Sequence, residues 1–253
     1  MTSNRTPSFP SVSICYQAYN EETTLRQVLE ETEALLAARD LDYEIIVCDD
    51  GSDDATGVIA DEVARSVSSV RALHHERNMG IPRTQQDLYA SAKKDFVYID
   101  GVDRQWPISV LLELLPLAGE WDIIVASRRH KFYGPFRAFV SSLFNLLPRV
   151  LFGVRTYDAG ATKLLRRDVL FPDRVISRSP FLAAEVMIRA ARAGYRITAV
   201  PVDTNPRRTG RSHGISAAGL SGSLRDVVRV WWALHVGDKR PRERLPAGRM
   251  RHG

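Results

Sequence analysis

The sequence predicts an α/β fold in which a mostly parallel central sheet is flanked by helices. The first observation is a series of short apolar runs, rich in Val and Ile, which are typical of strands buried on both faces. The second is the helical stretch between successive runs, which favours right-handed crossovers between parallel strands. The third is size, because 253 residues, 44% of them hydrophobic, can bury one large core.

Strands and helices alternate through the first half of the chain. The strands are expected at residues 12–16, 43–48, 70–74, 96–99 and 122–126. The helices are expected at residues 21–38, 54–66, 82–93 and 107–117. Pro82 and Pro107 suit a first helical turn. Ligands of parallel sheets bind beyond the carboxyl ends of the strands, so we expect a site in the loops after Tyr16, Cys48 and Ile99.

The second half of the chain is less regular. Its predicted elements are an interrupted apolar stretch, a helix, a strand and an amphipathic helix, at residues 136–152, 179–193, 195–202 and 216–236 in that order. We predict a single domain over residues 1–236. Residues 237–253, in which Pro, Arg and Gly dominate, are predicted to form a disordered basic tail.

Charge is divided unevenly along the chain. Residues 1–120 carry a net charge of −11 and residues 121–253 a net charge of +16. Such a basic half could meet an anionic membrane, a phosphorylated ligand or a nucleic acid. Because the acidic turns would repel phosphodiesters and no known nucleic-acid-binding motif occurs, we expect no nucleic-acid partner.

Neither the cysteines nor any hydrophobic segment indicates an exported or membrane-spanning protein. Cys15 and Cys48 lie inside strand-like runs, and we interpret both as buried thiols in a reducing compartment. No secretory signal and no uncharged apolar run of about 18 residues is present. We therefore expect a cytoplasmic chain without a transmembrane helix, able to associate peripherally with the inner face of a membrane.

Polar turns follow three of the predicted strands. The first runs from Gln17 to Glu22, where Asn20 could cap the next helix. The second, residues 49–54, places Asp49 and Asp50 where carboxylates could accept hydrogen bonds from a base and a ribose. The third, residues 100–105, has carboxylates and a carboxamide at a spacing that can hold a hard divalent cation.

Taken in order, these turns resemble the motifs of family 2 glycosyltransferases. The matching segments are residues 18–22 (AYNEE), 47–52 (VCDDGS) and 103–106 (DRQW). The resemblance extends from about residue 11 to residue 216 and is greatest to the dolichyl- or polyprenyl-phosphate sugar synthase branch. It implies a Rossmann-like GT-A fold, with a donor half at about residues 11–120 and an acceptor half at about residues 121–236.

The resemblance also implies a donor site for a UDP- or GDP-linked sugar. Gln17 stands where the family usually has proline. The residues expected to bind the donor are Gln17, Tyr19, Asn20, Glu21, Asp49, Asp50, Asp100 and Gly101. The residues expected to hold a divalent cation, Mg²⁺ or Mn²⁺, are Asp100, Asp103 and Gln105.

One departure from the family pattern affects the metal site. The first metal-binding Asp of the family aligns with Gly101, and a carboxylate stands one place earlier, at Asp100. Three alternatives follow. Asp100 reaches the metal through a shifted turn, or Asp103 and Gln105 hold it alone, or catalysis has been lost.

Further similarities lie in the basic half. They are residues 124–128 (IVASR), 158–163 (DAGATK), 181–185 (FLAAE) and 206–213 (PRRTGRSH). The resemblance implies catalytic roles for Asp103, Asp158, Glu185 and Arg128, and inversion at the anomeric carbon. A sugar hydroxyl as acceptor needs a general base, either Glu185 or Asp158. A polyprenyl phosphate needs no base but needs cations, for which the candidates are Arg128, Arg137, Arg207 and Arg208.

The excess of basic residues favours a polyprenyl phosphate acceptor. The apolar stretch 136–152 and the helix with Trp231 and Trp232 could then lie in the membrane interface. Alternatively, both helices pack on the sheet or in a homodimer. Two other functions stay open: a soluble glycosyltransferase acting on a small-molecule or saccharide hydroxyl, and a degenerate, non-catalytic nucleotide-sugar-binding protein.

Overall fold

A computed structural model describes residues 9–130, 135–170, 174–205 and 217–237. The strands are β1 (Val12–Ala18), β2 (Tyr43–Asp49), β3 (Val70–His74), β4 (Phe96–Gly101), β5 (Ile123–Arg128), β6 (Lys163–Arg166) and β7 (Ile197–Val202). They form one seven-stranded sheet in the order β3-β2-β1-β4-β6-β5-β7. Each expected strand is present, and the prediction of a mostly parallel sheet is confirmed.

Strand β6 was not expected from the sequence. It has four residues, lies between β4 and β5, and is antiparallel to both. The other four strand pairs are parallel. A strand this short, beginning with the buried Lys163, gives no clear apolar pattern. Because β6 pairs with β4, the segment 158–163 leads into the sheet beside β4.

The strands that lead to the predicted site are longer than expected at their carboxyl ends. β1 pairs with β2 up to Ala18↔Asp49 and with β4 up to Gln17↔Gly101. Gln17, Asp49 and Gly101 are therefore strand residues rather than loop residues. The ends of these three neighbouring strands meet at one edge of the sheet.

The helices are α1 (Leu25–Ala37), α2 (Thr56–Ser66), α3 (Ile81–Ser91), α4 (Ser109–Leu114), α5 (Pro135–Phe152), α6 (Leu182–Arg192) and α7 (Ala217–Trp232). Helix α1 begins four residues later than expected, and its N-cap is Thr24. The interpretation of Asn20 as a helix cap is therefore wrong. Asn20 has a φ of 53° and belongs to the turn before the helix.

A main core surrounds the central strands, and a smaller one joins the helices of the second half. The main core contains both cysteines, which are buried and free. Burial raises the pKa of the Cys48 thiol to about 12, with a further contribution from nearby carboxylates, so this thiol stays protonated. The smaller core includes Phe181, Val227 and Val230, with Leu151 and Phe152 of α5 packed against it.

No helix among the described residues is long and apolar enough to cross a membrane. Helix α5 has 18 residues but contains Pro148. The predicted tail 237–253 lies, except for Gly237, outside the described residues.

Candidate active site

The turns after β1 and β2 are bonded directly to each other. The side chain of Asn20 accepts a hydrogen bond from the Asp53 backbone N–H (2.9 Å), and the Asn20 N–H donates to Ser52 Oγ (2.9 Å). The backbone N–H of Glu21 donates to Thr56 Oγ1 (2.8 Å). These bonds hold the two strand ends as one rigid unit. The Asn20 side chain thus has a structural partner, and Tyr19 beside it is partly buried.

Asp50 holds the loop between β3 and α3. Its carboxylate accepts hydrogen bonds from the backbone N–H groups of Met79 and Gly80 (both 2.8 Å) and lies 2.7 Å from Nδ1 of His75. Gly51 beside it has a φ of 68°, and a Cβ there would lie 2.3 Å from the Arg77 backbone. The close approach of this loop therefore requires glycine.

Asp49 also faces inward. Its carboxylate accepts a hydrogen bond from the Ser52 N–H (3.1 Å) and lies 3.4 Å from Nδ1 of His74. Asp49 and Asp50 are both nearly closed to solvent. Each carboxylate thus orders the polypeptide around the strand ends in addition to any role in binding a donor.

The turn after β4 brings two carboxylates close together. Burial and the neighbouring carboxylate of Asp103 raise the pKa of Asp100 well above its usual value, opposed by the Gly101 N–H, Arg128 and Lys163. Asp103 accepts a hydrogen bond from the Gln105 N–H (3.1 Å). Two close carboxylates of which one is buried repel each other, and a bound cation would relieve that repulsion.

A cavity of about 360 Å³ opens at this edge of the sheet. Asp100 and Gly101 of β4 form one side, and Arg128 of β5 and the turn before β6 form another. Helices α3, α5, α6 and α7 supply the rest of the wall. Asp50 and Asp103 do not line this cavity, so the predicted donor residues are divided between it and the adjacent loops.

Arg128 is fixed in the cavity wall by two contacts. Its Nη1 lies 2.8 Å from Oδ2 of Asp158, and its guanidinium carbon lies 4.7 Å from the centroid of the Trp106 ring. The side chains of Arg128 and Asp158 are 16% and 9% exposed, so solvent weakens this ion pair less than a surface pair. These two contacts hold the guanidinium in the cavity wall.

Lys163 is a second cation in the wall, and the sequence analysis did not assign it a role. It is 3% exposed, and its Nζ donates to the backbone carbonyls of Ala159 (3.1 Å) and Ala161 (2.6 Å). Burial lowers the pKa of Lys163 to about 8, opposed by Asp158 and Asp100 and reinforced by Arg128. Lys163 ends the segment 158–163 (DAGATK), and that position was the signal that could have identified it.

Glu185 is directed away from the cavity. Its carboxylate is fully buried and accepts hydrogen bonds from the backbone N–H groups of Ile176 (3.1 Å) and Ser177 (2.8 Å). Its other partner is Nε of Arg189, at 2.7 Å. The structure thus places Glu185 at the start of α6 as an anchor for the segment that precedes the helix.

Gln17 lines the cavity and has an unusual environment. Its Oε1 is closed to solvent and meets no hydrogen-bond donor among the described residues. A buried acceptor left without a partner costs about 1–3 kcal/mol. The Gln17 carboxamide oxygen therefore accepts no hydrogen bond from the described residues and lies next to the strand that carries Asp100.

The residues present at the strand ends fit a divalent cation. Asp100, Asp103 and Gln105 offer the oxygen ligands that Mg²⁺ and Mn²⁺ prefer. The described part of the chain contains no group of three His, Cys, Asp or Glu side chains placed for a metal. Protein carboxylates would thus fill only a few of the coordination positions of the cation, as is usual for Mg²⁺ bound together with substrate phosphates.

Of the four arginines expected at the acceptor phosphate, only Arg128 has a described side chain. Arg207 and Arg208 lie outside the described residues, and the side chain of Arg137 is likewise not described. Arg128 does line the cavity, as expected for a group that meets an anion there.

Helices α5 and α7 expose apolar side chains on their outer surfaces. Those with at least two-fifths of their area exposed are Leu143, Leu146, Val150, Leu224, Val228, Trp231 and Trp232. Other residues of the same helices, including Phe144 and Leu220, line the cavity. Both helices thus line the cavity and expose apolar side chains, and we call these seven exposed side chains the apolar face.

Comparison with known proteins gives a consistent result. The family model described as Glycosyl transferase family 2 matches residues 13–171. Glycosyltransferase AglD of Haloferax volcanii is 31% identical over 251 residues, covering 91% of this chain and 38% of AglD. An undecaprenyl-phosphate 4-deoxy-4-formamido-L-arabinose transferase of Pseudomonas fluorescens is 32% identical over 162 residues, covering 63% of this chain and 48% of that protein.

These matches confirm the resemblance inferred from the motifs. The chain spans less than half the length of the two relatives.

A solved structure supports the fold. Glucosyl-3-phosphoglycerate synthase from Mycobacterium tuberculosis, in complex with Mn²⁺, UDP and phosphoglyceric acid, superposes with a TM-score of 0.64 at 20% identity, covering 88% of this chain and 78% of that one. At this level of identity the similarity concerns the fold, and it confirms the predicted Rossmann-like GT-A architecture.

Proposed function

The chain belongs to glycosyl transferase family 2, and on that premise we propose that it transfers a sugar from a nucleotide-sugar donor to a polyprenyl phosphate. The phosphate oxygen of the acceptor forms a bond to the anomeric carbon, and the bond from that carbon to the diphosphate breaks. The nucleoside diphosphate leaves, and the sugar is inverted. The undecaprenyl-phosphate transferase among the relatives supports this choice of acceptor.

One observation carries the choice of a phosphate over a hydroxyl acceptor. Both candidate bases already have partners: Glu185 has the Arg189 cation and two backbone N–H groups, and Asp158 has the Arg128 cation. A hydroxyl acceptor would need a carboxylate that can take its proton. A phosphate is already an anion near neutral pH and needs cations such as Arg128 and Lys163 in the cavity wall.

The donor diphosphate is assigned to the turn after β4, next to the side of the cavity that Asp100 lines. Asp100, Asp103 and Gln105 would hold a divalent cation there, and the ion would act as a Lewis acid that stabilises the leaving diphosphate. This assignment takes Asp100, one place before Gly101, as a ligand that reaches the cation through a shifted turn. Its support is the position of Asp100 in the cavity and its closeness to Asp103. The bonded turns of β1 and β2 would position the nucleoside.

We further propose that the apolar face lies in a membrane interface. An acceptor with a polyprenyl tail is embedded in lipid, so the cavity has to open near the bilayer. The apolar face contains Trp231 and Trp232, and tryptophan is favoured at that boundary. Each basic residue near an anionic surface adds about 1 kcal/mol of attraction, and Arg137, Arg207 and Arg208 are candidates.

A transfer assay with paired acceptors tests the proposal. The protein is incubated with Mn²⁺, a set of labelled UDP- and GDP-sugars, and vesicles that contain either a polyprenyl phosphate or the corresponding polyprenol. We expect label in the lipid phase with the phosphate and none with the polyprenol. Transfer to the polyprenol, or to a water-soluble sugar alone, would contradict a phosphate acceptor.

A further inference from the structure

Gln17 and Gly101, which both depart from the family pattern, lie side by side on neighbouring strands. Gln17 of β1 is paired in register with Gly101 of β4. Paired residues on parallel strands lie about 5 Å apart and project toward the same face of the sheet. A Cβ built on Gly101 would meet no atom within 4 Å. Open space therefore lies beside the Gln17 side chain, on the face where an aspartate at position 101 would project.

The oxygen of the Gln17 carboxamide lacks a partner. Oε1 is closed to solvent and accepts no hydrogen bond from the described residues, although Gln17 lines the same cavity as Asp100. The torsion of a terminal amide is soft, so rotation about it can turn this oxygen toward the cavity. A cation bound there would satisfy it.

A carboxamide oxygen is an appropriate ligand for the expected ion. Mg²⁺ and Mn²⁺ prefer oxygen donors, including the carbonyl oxygen of glutamine. The carboxylates at the turn are Asp100 and Asp103, and the described residues provide no third carboxylate, histidine or cysteine close enough to complete a metal-binding group. A neutral oxygen on β1 would add a ligand without adding to the repulsion between these carboxylates.

We propose that the Gln17 carboxamide oxygen replaces the carboxylate missing at Gly101 and contributes to the divalent-cation site. The inference rests on the proposed function, since it needs a cation that binds with the nucleoside diphosphate. It assigns to Gln17 a metal-binding role, distinct from contact with the nucleoside.

Measurement of Mn²⁺ binding tests directly whether Gln17 is a ligand, and it does not require turnover. Binding of Mn²⁺ in the presence of UDP or GDP is followed by the loss of the free-ion signal in electron paramagnetic resonance. We expect Gln17→Met, which keeps the size of the side chain but removes the oxygen, to weaken Mn²⁺ binding about 10–100-fold. Gln17→Glu, which keeps an oxygen and adds charge, should bind Mn²⁺ at least as tightly as the unmodified protein.

A double-mutant cycle with Gly101→Asp tests the replacement itself. If an aspartate at 101 occupies the ligand position, Gln17→Met should cost much less in the Gly101→Asp background than alone. Gln85→Met is the matched control, because this amide on α3 also lines the cavity but is not paired with β4. It should leave Mn²⁺ affinity unchanged.

Two kinds of result would overturn the inference, and they are distinguishable. If Gln17→Met binds Mn²⁺ as well as the unmodified protein, or if Gln85→Met is weakened equally, Gln17 is not a ligand, and the proposed transferase function is unaffected. If the unmodified protein shows no Mn²⁺ binding with any nucleoside diphosphate, both the inference and the proposed metal-assisted function fail. Circular dichroism of each variant identifies any loss that is due to misfolding.

Discussion

Arg128 and Asp158 form an ion pair in the wall of the cavity, with 2.8 Å between Nη1 and Oδ2. The pair joins the end of β5 to the turn before β6, 30 positions away in the chain. The antiparallel insertion of β6 beside β5 is what brings these residues together. The Arg128 guanidinium of this pair also lies over the Trp106 ring.

Removing the carboxylate should destabilise the protein. We expect Asp158→Asn to lower the free energy of unfolding by about 1.5–3 kcal/mol, because a charged hydrogen bond in a largely buried site is lost. Urea unfolding followed by tryptophan fluorescence measures the change. The matched control is Asp203→Asn, which breaks the exposed pair between Arg129 and Asp203 and should cost about 1 kcal/mol or less. Equal losses in both variants would contradict the account of a buried pair.

Lys163 should make stability depend on alkaline pH. Burial lowers its pKa from 10.5 to about 8, so between these values the unfolded chain binds more protons than the folded one. The free energy of unfolding should therefore rise with pH over this interval, by up to about 3 kcal/mol. The penalty for burying the charged lysine is fully present below pH 8.

The variant Lys163→Met lacks the titrating amine, so its free energy of unfolding is compared with that of the unmodified protein. The difference in unfolding free energy between the two proteins isolates Lys163 from other titrating groups. We expect the variant to be more stable relative to the unmodified protein at pH 7 than at pH 10. A difference that does not change with pH would show that folding does not perturb this lysine.

Glu185 should matter for stability and little for turnover. Glu185→Gln weakens the bonds to Arg189 and to the N–H groups of Ile176 and Ser177, so the melting temperature should fall. Transfer per folded molecule to a polyprenyl phosphate should remain within a few-fold. Loss of a general base would cost about 10²–10⁴-fold, and a loss of that size would contradict the role assigned here. Glu30→Gln, on the exposed surface of α1, is the control.

Unlike Glu185→Gln, Arg128→Ala should impair transfer to the acceptor. Removing the guanidinium takes away a cation assigned to the acceptor phosphate, so acceptor use should fall steeply. Binding of the nucleoside diphosphate should change much less. Separate titrations of donor and acceptor distinguish the two effects, and equal weakening of both would contradict the assignment of Arg128 to the acceptor.

Asp50 should control the order of the loop between β3 and α3. Asp50→Asn replaces one acceptor oxygen with a donor, so the N–H groups of Met79 and Gly80 lose a charged partner. Hydrogen exchange at these two amides should become faster, and nucleotide binding should weaken. Asp53→Asn changes an exposed carboxylate in the same turn and should leave the exchange of both amides unaltered. If both variants exchange alike, Asp50 does not hold the loop.

The sequence predicted the first half of the chain well because its strands are apolar, buried on both faces and separated by regular helices. The strand ends were less predictable, since Gln17 and Asp100 are polar yet continue the strand pairing of β1 and β4. Pairing with neighbouring strands outweighs the local preference for a turn at these positions.

The second half of the chain could not be derived in the same way. Strand β6 has four residues and is defined by its neighbours, and the role of Lys163 depends on carbonyls that the turn before β6 brings to it. The engagement of Glu185 by Arg189 and by two backbone N–H groups depends on how the segment before α6 folds back. Such tertiary contacts leave no periodic pattern in the sequence.

The phosphorus-containing product of the reaction tests the central claim most directly. After incubation with a nucleotide sugar, Mn²⁺ and a polyprenyl phosphate in vesicles, the lipid is extracted and examined by phosphorus NMR and mass spectrometry. The account predicts that the phosphate monoester becomes a phosphodiester carrying one sugar, with release of one nucleoside diphosphate per lipid. A lipid phosphate that stays a monoester while the sugar appears on a hydroxyl group would contradict it.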